Sequence, residues 1–157
     1  MAAVLEERDV RAICELKYRY LRTLDLKQWD DFADTLAPDA TAHYGDRLTF
    51  TGRAEIVRYM RRTVGPEIIT VHHCQHPEID ITGDEATGRW ALDDTVIITA
   101  HRLALRGAAF YQDRYVRRDG QWRIAHTEYE RIYEAMISLK DLPSFNLTAN
   151  LWAPATG

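Results

Sequence analysis

The chain has 157 residues, enough for one domain with a real core, and its 46% apolar content is ordinary for a globular protein. A net charge of -4 argues against a general nucleic-acid surface, and no apolar run approaches the ~20 residues that cross a bilayer. Met1 to Arg8 lacks the basic and apolar regions of a secretory signal, and Cys14 and Cys74 show no CxxC spacing, so a cytoplasmic protein with reduced thiols is expected.

Val10, Ile13, Cys14, Tyr20, Leu21 and Leu24 recur at helical spacing and predict an amphipathic helix over Glu6 to Leu24, with Tyr20 on its apolar side. Trp29, Phe32, Ala33 and Leu36 predict a shorter second helix, stopped by Pro38. A third runs from Arg53 to Arg62 after Gly52, with Ile56, Val57 and Met60 as its buried stripe and Arg58, Arg61 and Arg62 as a solvated face; Gly65-Pro66 ends it. Strands are predicted at Glu67 to Cys74, Glu78 to Ile81, Thr87 to Thr99, Ala108 to Arg117 and Gln121 to Tyr133. Thr82-Gly83-Asp84 and the hairpin pair Asp119-Gly120 punctuate them. Helices first and antiparallel strands afterwards predict a single α+β domain over residues 1–157, with helices on one face of a curved sheet whose concave side is the default ligand site.

Five polar residues fall in segments otherwise patterned for burial: Tyr20, Asp25, His72, Asp94 and Arg131. Desolvating an unpaired polar group costs roughly 1–3 kcal/mol, so such groups are expected to pair with one another, as titratable groups in active sites do. Asp94 alternates with Trp90, Leu92, Val96 and Ile98, and Arg131 is placed in phase with Ala125, Thr127, Tyr129 and Tyr133. If His72 faces the pocket, Asp94 or Asp25 could accept its Nδ1 proton and leave Nε2 free as a general base. Tyr20 could donate to a carbonyl oxygen becoming an enolate, or it is a core tyrosine; Arg131 could anchor an anion, or it forms a structural ion pair. Adjacent strand histidines point to opposite faces, so His72, His73 and His76 are not expected to share a metal. Neither a GxSxG elbow nor a phosphate-binding glycine loop is present.

The segments Ala12 to Tyr20, Leu24-Asp25, Trp29-Asp30, Val71-His72, Pro77 to Ile79, Thr87 to Trp90, Gly107 to Tyr111 and Asp119 to Trp122 resemble, in order and spacing, the SnoaL-like branch of the NTF2-like superfamily. Within it the chain is most similar to bacterial bile acid 7α-dehydratases, over about Ala12 to Asn150. The resemblance implies a cone-shaped α+β barrel, commonly a homotrimer, that uses no metal or organic cofactor and takes a hydrophobic small molecule. It implies Tyr20, Asp25, His72, Asp94 and Arg131 as the site of a hydro-lyase. The implied reaction is loss of water from a hydroxylated 3-oxo-4-ene steroid, as a coenzyme A thioester in the family. His72 is then the base, Tyr20 the enolate donor, and Asp25 and Asp94 the groups that orient His72. A 3-oxosteroid double-bond isomerase and a non-catalytic ligand-binding module of the same fold are the alternatives.

Overall fold

The computed structural model describes residues 1–154, and the side chains of all of these except 2–5; residues 155–157 of the expected domain lie outside the described residues. The helical stripe read from the sequence forms α1, Ala2–Asp25, which buries Ile13, Leu16, Tyr20, Leu21 and Leu24. The helix stops at Leu26, and Lys27 adopts a left-handed backbone (φ 55) that redirects the chain into α2, Trp29–Asp34.

The second helix is shorter than expected. Thr35 closes it, and Leu36 opens a strand, β1 (Leu36–Tyr44), followed by β2 (Leu48–Thr51), neither of which the sequence reading anticipated. Pro38 is tolerated in β1 because it falls in an irregular stretch, where the pairing register shifts between Leu36 and Thr41. Gly52 (φ 94) then leads into α3, Arg53–Thr63, which buries Ile56 and leaves Arg58, Arg61 and Arg62 exposed.

The remaining chain forms four long strands: β3 (Ile68–Thr82), β4 (Glu85–Ile98), β5 (Leu103–Arg118) and β6 (Gln121–Ser138). The two short strands expected at Glu67 to Cys74 and Glu78 to Ile81 are one strand, because the chain stays in the ladder through an irregularity between Gln75 and Glu78, where His76 takes φ 51 ahead of Pro77. All six strands make one sheet of order β2-β1-β6-β5-β4-β3, antiparallel except where β1 runs parallel to β6. The three helices cover one face, and the core of Tyr20, Phe32, Leu36, Ile56, Trp90, Tyr111, Tyr115 and Ile124 lies between the layers.

Alternation along β4 is as read: Trp90, Leu92 and Asp94 point inward. Along β6 it is interrupted twice. The register skips Ala125 and Ile132, so Trp122 and Ile124 face the core on one side of the first bulge, and Thr127, Tyr129 and Arg131 follow it. Ala125 and Tyr133 therefore do not share the face of Arg131 as expected, and Tyr133 is 49% exposed.

Candidate active site

β3 is an edge strand, so its outward backbone groups have no strand to pair with, and α1 ends beside it. The last residue of that helix, Asp25, fills the gap. Its Oδ2 accepts the backbone N–H of His72 at 2.9 Å. Its Oδ1 accepts the Thr70 hydroxyl at 2.8 Å and lies 2.6 Å from His72 Nδ1. An ionised carboxylate offers only lone pairs, so the proton on this contact sits on Nδ1 and Nε2 of the neutral ring is left as the acceptor. Nε2 has no partner among the described residues, and the imidazole is 14% exposed. The choice between Asp25 and Asp94 as the partner of His72 is thus settled by geometry in favour of Asp25.

His72 and Asp25 open on a cavity of about 750 Å³ between the end of α1 and β3. Leu21, Leu26, Ile69, Val71, Leu151 and Trp152 form much of its wall. Trp152 belongs to the irregular C-terminal segment and lies against Lys27, whose Nζ is 4.3 Å from the indole centroid and donates to the Ile68 carbonyl at 2.8 Å. Cys74 also lines the cavity, and burial pushes its thiol up to about 12, which leaves it protonated and a poor nucleophile at neutral pH.

Asp94 faces His72 across the β3–β4 rung, and Gly107 faces Asp94 on the next strand. The carboxylate of Asp94 is taken by Arg131, which reaches it from β6 with two contacts of 2.5 and 2.9 Å. Gly107 makes room for that pair: a Cβ there would stand 2.5 Å from Arg131 Nη1 and 3.1 Å from Asp94 Oδ1. Burial works against the Arg131 charge, but the hydrogen bond and charge of Asp94 outweigh it and hold the guanidinium above its ordinary pKa.

Tyr20 is placed differently. Its hydroxyl is fully buried, 2.7 Å from that of Tyr44, and burial raises its pKa well above the ordinary phenol value. Neither tyrosine is among the residues lining the cavity. The structure therefore brings together His72 with Asp25, and Asp94 with Arg131, with His72 and Asp94 on the neighbouring strands β3 and β4, while Tyr20 belongs to the core.

Two buried residues escaped the sequence reading. Lys17 and Asp113 are both without side-chain exposure and form an ion pair at 2.7 Å. Lys17 Nζ also stands 3.4 Å from the centroid of the Tyr111 ring. Asp113 Oδ2 accepts from the Tyr115 hydroxyl at 2.8 Å, and that hydroxyl accepts from Trp90 Nε1 at 2.9 Å. The signal was available: Lys17 sits on the helical stripe of Ile13, Leu16, Tyr20 and Leu24, and Asp113 alternates with Ala109, Tyr111 and Tyr115. Both cysteines are free, and among the described residues no cluster of three or more His, Cys, Asp or Glu is placed to hold a metal. No described helix is long and apolar enough to cross a membrane.

Helices on one face of a mixed, mainly antiparallel six-stranded sheet are the architecture of the NTF2-like α+β fold. Residues 6–128 match the SnoaL-like domain family, and the chain belongs to it. Among solved structures it is similar to the hexachlorocyclohexane dehydrochlorinase LinA, with a TM-score of 0.81 at 18% identity, covering 88% of this chain and 95% of that one. A scytalone dehydratase-like protein from Novosphingobium aromaticivorans gives a TM-score of 0.77 at 21% identity, covering 92% and 93%. A Mycobacterium tuberculosis protein of unknown function gives 0.69 at 27% identity, covering 78% and 76%.

Proposed function

We propose that the chain is a lyase that removes water from a hydroxylated, conjugated ketone, with His72 as the base and Asp25 as the group that orients and charges it. The observation that carries this reading is the His72–Asp25 pair, with Nε2 unpartnered beside a largely apolar cavity of about 750 Å³. The names of two structural neighbours, a dehydrochlorinase and a dehydratase, both denote eliminations in which a proton leaves carbon and a leaving group departs, which supports the same class here.

The geometry fits the chemistry in steps. A carbonyl conjugated to a C=C bond acidifies a vinylogous C–H; Nε2 takes that proton, and the electron pair moves into a dienolate. The imidazolium that forms lies 2.6 Å from Asp25 Oδ1, where the carboxylate stabilises it. Collapse of the dienolate expels the hydroxyl, which takes the proton from the His72 imidazolium and leaves as water, so a C–H and a C–O bond give way to a C=C bond and an O–H bond of water and His72 returns to its neutral form. Asp94 and Arg131 hold each other next to His72, and Tyr20 is held by Tyr44; in this reading the three position the site and His72 and Asp25 act. Hydroxylated 3-oxo-4-ene steroids of the bile acid type are the substrates the sequence resemblance favours, and the apolar wall suits their ring system.

The test is to mix the purified protein with a 7α-hydroxy-3-oxo-4-ene bile acid thioester, follow the absorbance of the extended dienone and confirm loss of water by mass. The expected result is product formation that His72→Ala abolishes without loss of the folded state. Equal turnover by His72→Ala and the parent would remove His72 from the chemistry, and a product of unchanged mass would replace elimination by isomerisation.

A further inference from the structure

We propose that the cavity takes a substrate bearing an anionic oxygen group, carboxylate or phosphate, and that Arg22 is the residue that binds it. The inference rests on the lyase reading for the position of the reacting carbons, and its own observations are separate. Arg22 lies in the last turn of α1 and is the one arginine or lysine among the described residues lining the cavity. Its side chain is exposed to solvent.

The partner expected for it is already occupied. Asp25 is three residues further on, the spacing at which an arginine and a carboxylate meet on one helix face. Yet both oxygens of Asp25 are turned to β3, where they receive the His72 N–H, His72 Nδ1 and the Thr70 hydroxyl. Arg22 makes no ion pair or side-chain hydrogen bond among the described residues; exposed arginines such as Arg58 and Arg61 share that state, but Arg22 alone of the three lines this cavity. A basic side chain in the last turn also complements the helix dipole, but that role is met anywhere around the helix and does not require the face that looks into a cavity.

The cavity lining thus holds both the His72–Asp25 pair and an unpaired guanidinium, with Leu21, Leu26, Ile69 and Trp152 as apolar wall. An amphipathic molecule with an apolar body and one anionic end satisfies both, because guanidinium pairs with carboxylate or phosphate through two parallel N–H donors. A neutral ketone of the same shape satisfies only the wall and the base.

Binding, rather than turnover, tests this, so that it stands apart from the lyase reading. The probes are 3-oxochol-4-en-24-oic acid, its methyl ester and its coenzyme A thioester, none of which carries a hydroxyl on the steroid nucleus to lose. Titration calorimetry at low salt is expected to show the acid or the thioester bound about fivefold tighter than the ester, the scale of an ion pair at a solvated site. The acid alone showing the preference identifies a carboxylate, and the thioester alone a phosphate. Arg22→Gln should erase the preference and Arg22→Lys should keep part of it, with both variants melting like the parent. Equal binding of all three probes by the parent, a preference that survives in Arg22→Gln, or no binding of any probe would each overturn the proposal. Failure of the dehydration assay alone would sink the lyase reading and leave this preference measurable.

Discussion

Lys17→Met tests how the core carries its charges. The substitution keeps an unbranched stem of similar length and removes only the ammonium, so Asp113 remains as a carboxylate with no exposure and one hydroxyl on Oδ2. Its Oδ1 already has no hydrogen-bond partner. Breaking one side of a fully buried ion pair costs about 3–5 kcal/mol, a large part of the roughly 5–15 kcal/mol that holds a domain together. At about 2–4 °C per kcal/mol for a chain of this size, Tm should fall by roughly 6–20 °C. The double variant Lys17→Met/Asp113→Asn leaves no charge at this pair and retains an acceptor for the Tyr115 hydroxyl, so it should recover much of the loss. Urea unfolding of the parent, both single variants and the double gives a coupling energy, expected at about 2–3 kcal/mol. Additive losses, with the double variant as unstable as the sum of the singles, would refute the claim that these two residues stabilise each other.

Two further outcomes follow from named contacts. Gly107→Ala puts a methyl 2.5 Å from Arg131 Nη1, so the Asp94–Arg131 pair must part or shift; a loss of about 1–3 kcal/mol is expected, and an unchanged unfolding curve would contradict it. Asp9 holds Trp122 Nε1 at 3.0 Å and Arg117 at 2.7 Å, and these, the Trp122 bond foremost, keep its carboxyl below the ordinary 3.8. Because the folded value is the lower one, its contribution is full above 3.8 and lost as pH falls through the folded pKa, so Asp9→Asn should lower Tm at neutral pH and matter less in acid. An equal difference in melts at both pH values would count against this.

Where one period runs unbroken, the sequence is a good guide. The stripe along α1 and the alternation along β4 placed Tyr20 and Asp94 inward, as found. β1 escaped because its Leu-Ala-Pro-Asp-Ala-Thr-Ala run carries small residues and a proline where strands usually carry branched ones; burial of Ala40, Ala42 and Tyr44 shows the alternation that was there. The face of Arg131 was assigned across two bulges, each of which shifts the phase by one residue and neither of which leaves a mark in composition. That His72 and a carboxylate would pair could be read from their burial phases. That the carboxylate is Asp25, 47 positions away, depends on where α1 stops relative to β3, a tertiary relation that no local pattern encodes. Lys17 and Asp113 were missed because a charged residue in an amphipathic element is ordinarily solvated, and only the pair, seen in three dimensions, explains either one.

The contacts of Asp25 and Lys27 with β3 have a second consequence, for how copies of the chain behave towards one another. An edge strand presents free N–H and C=O groups that another chain can pair with, and sheets with bare edges aggregate or swap segments. Here the His72 N–H is plugged by Asp25 and the Ile68 carbonyl by Lys27, two side chains from a single turn of backbone. The carboxylate paired with His72 is thus also a stopper on the sheet, and removing it opens a foothold for self-association at the position where the chemistry is proposed to occur.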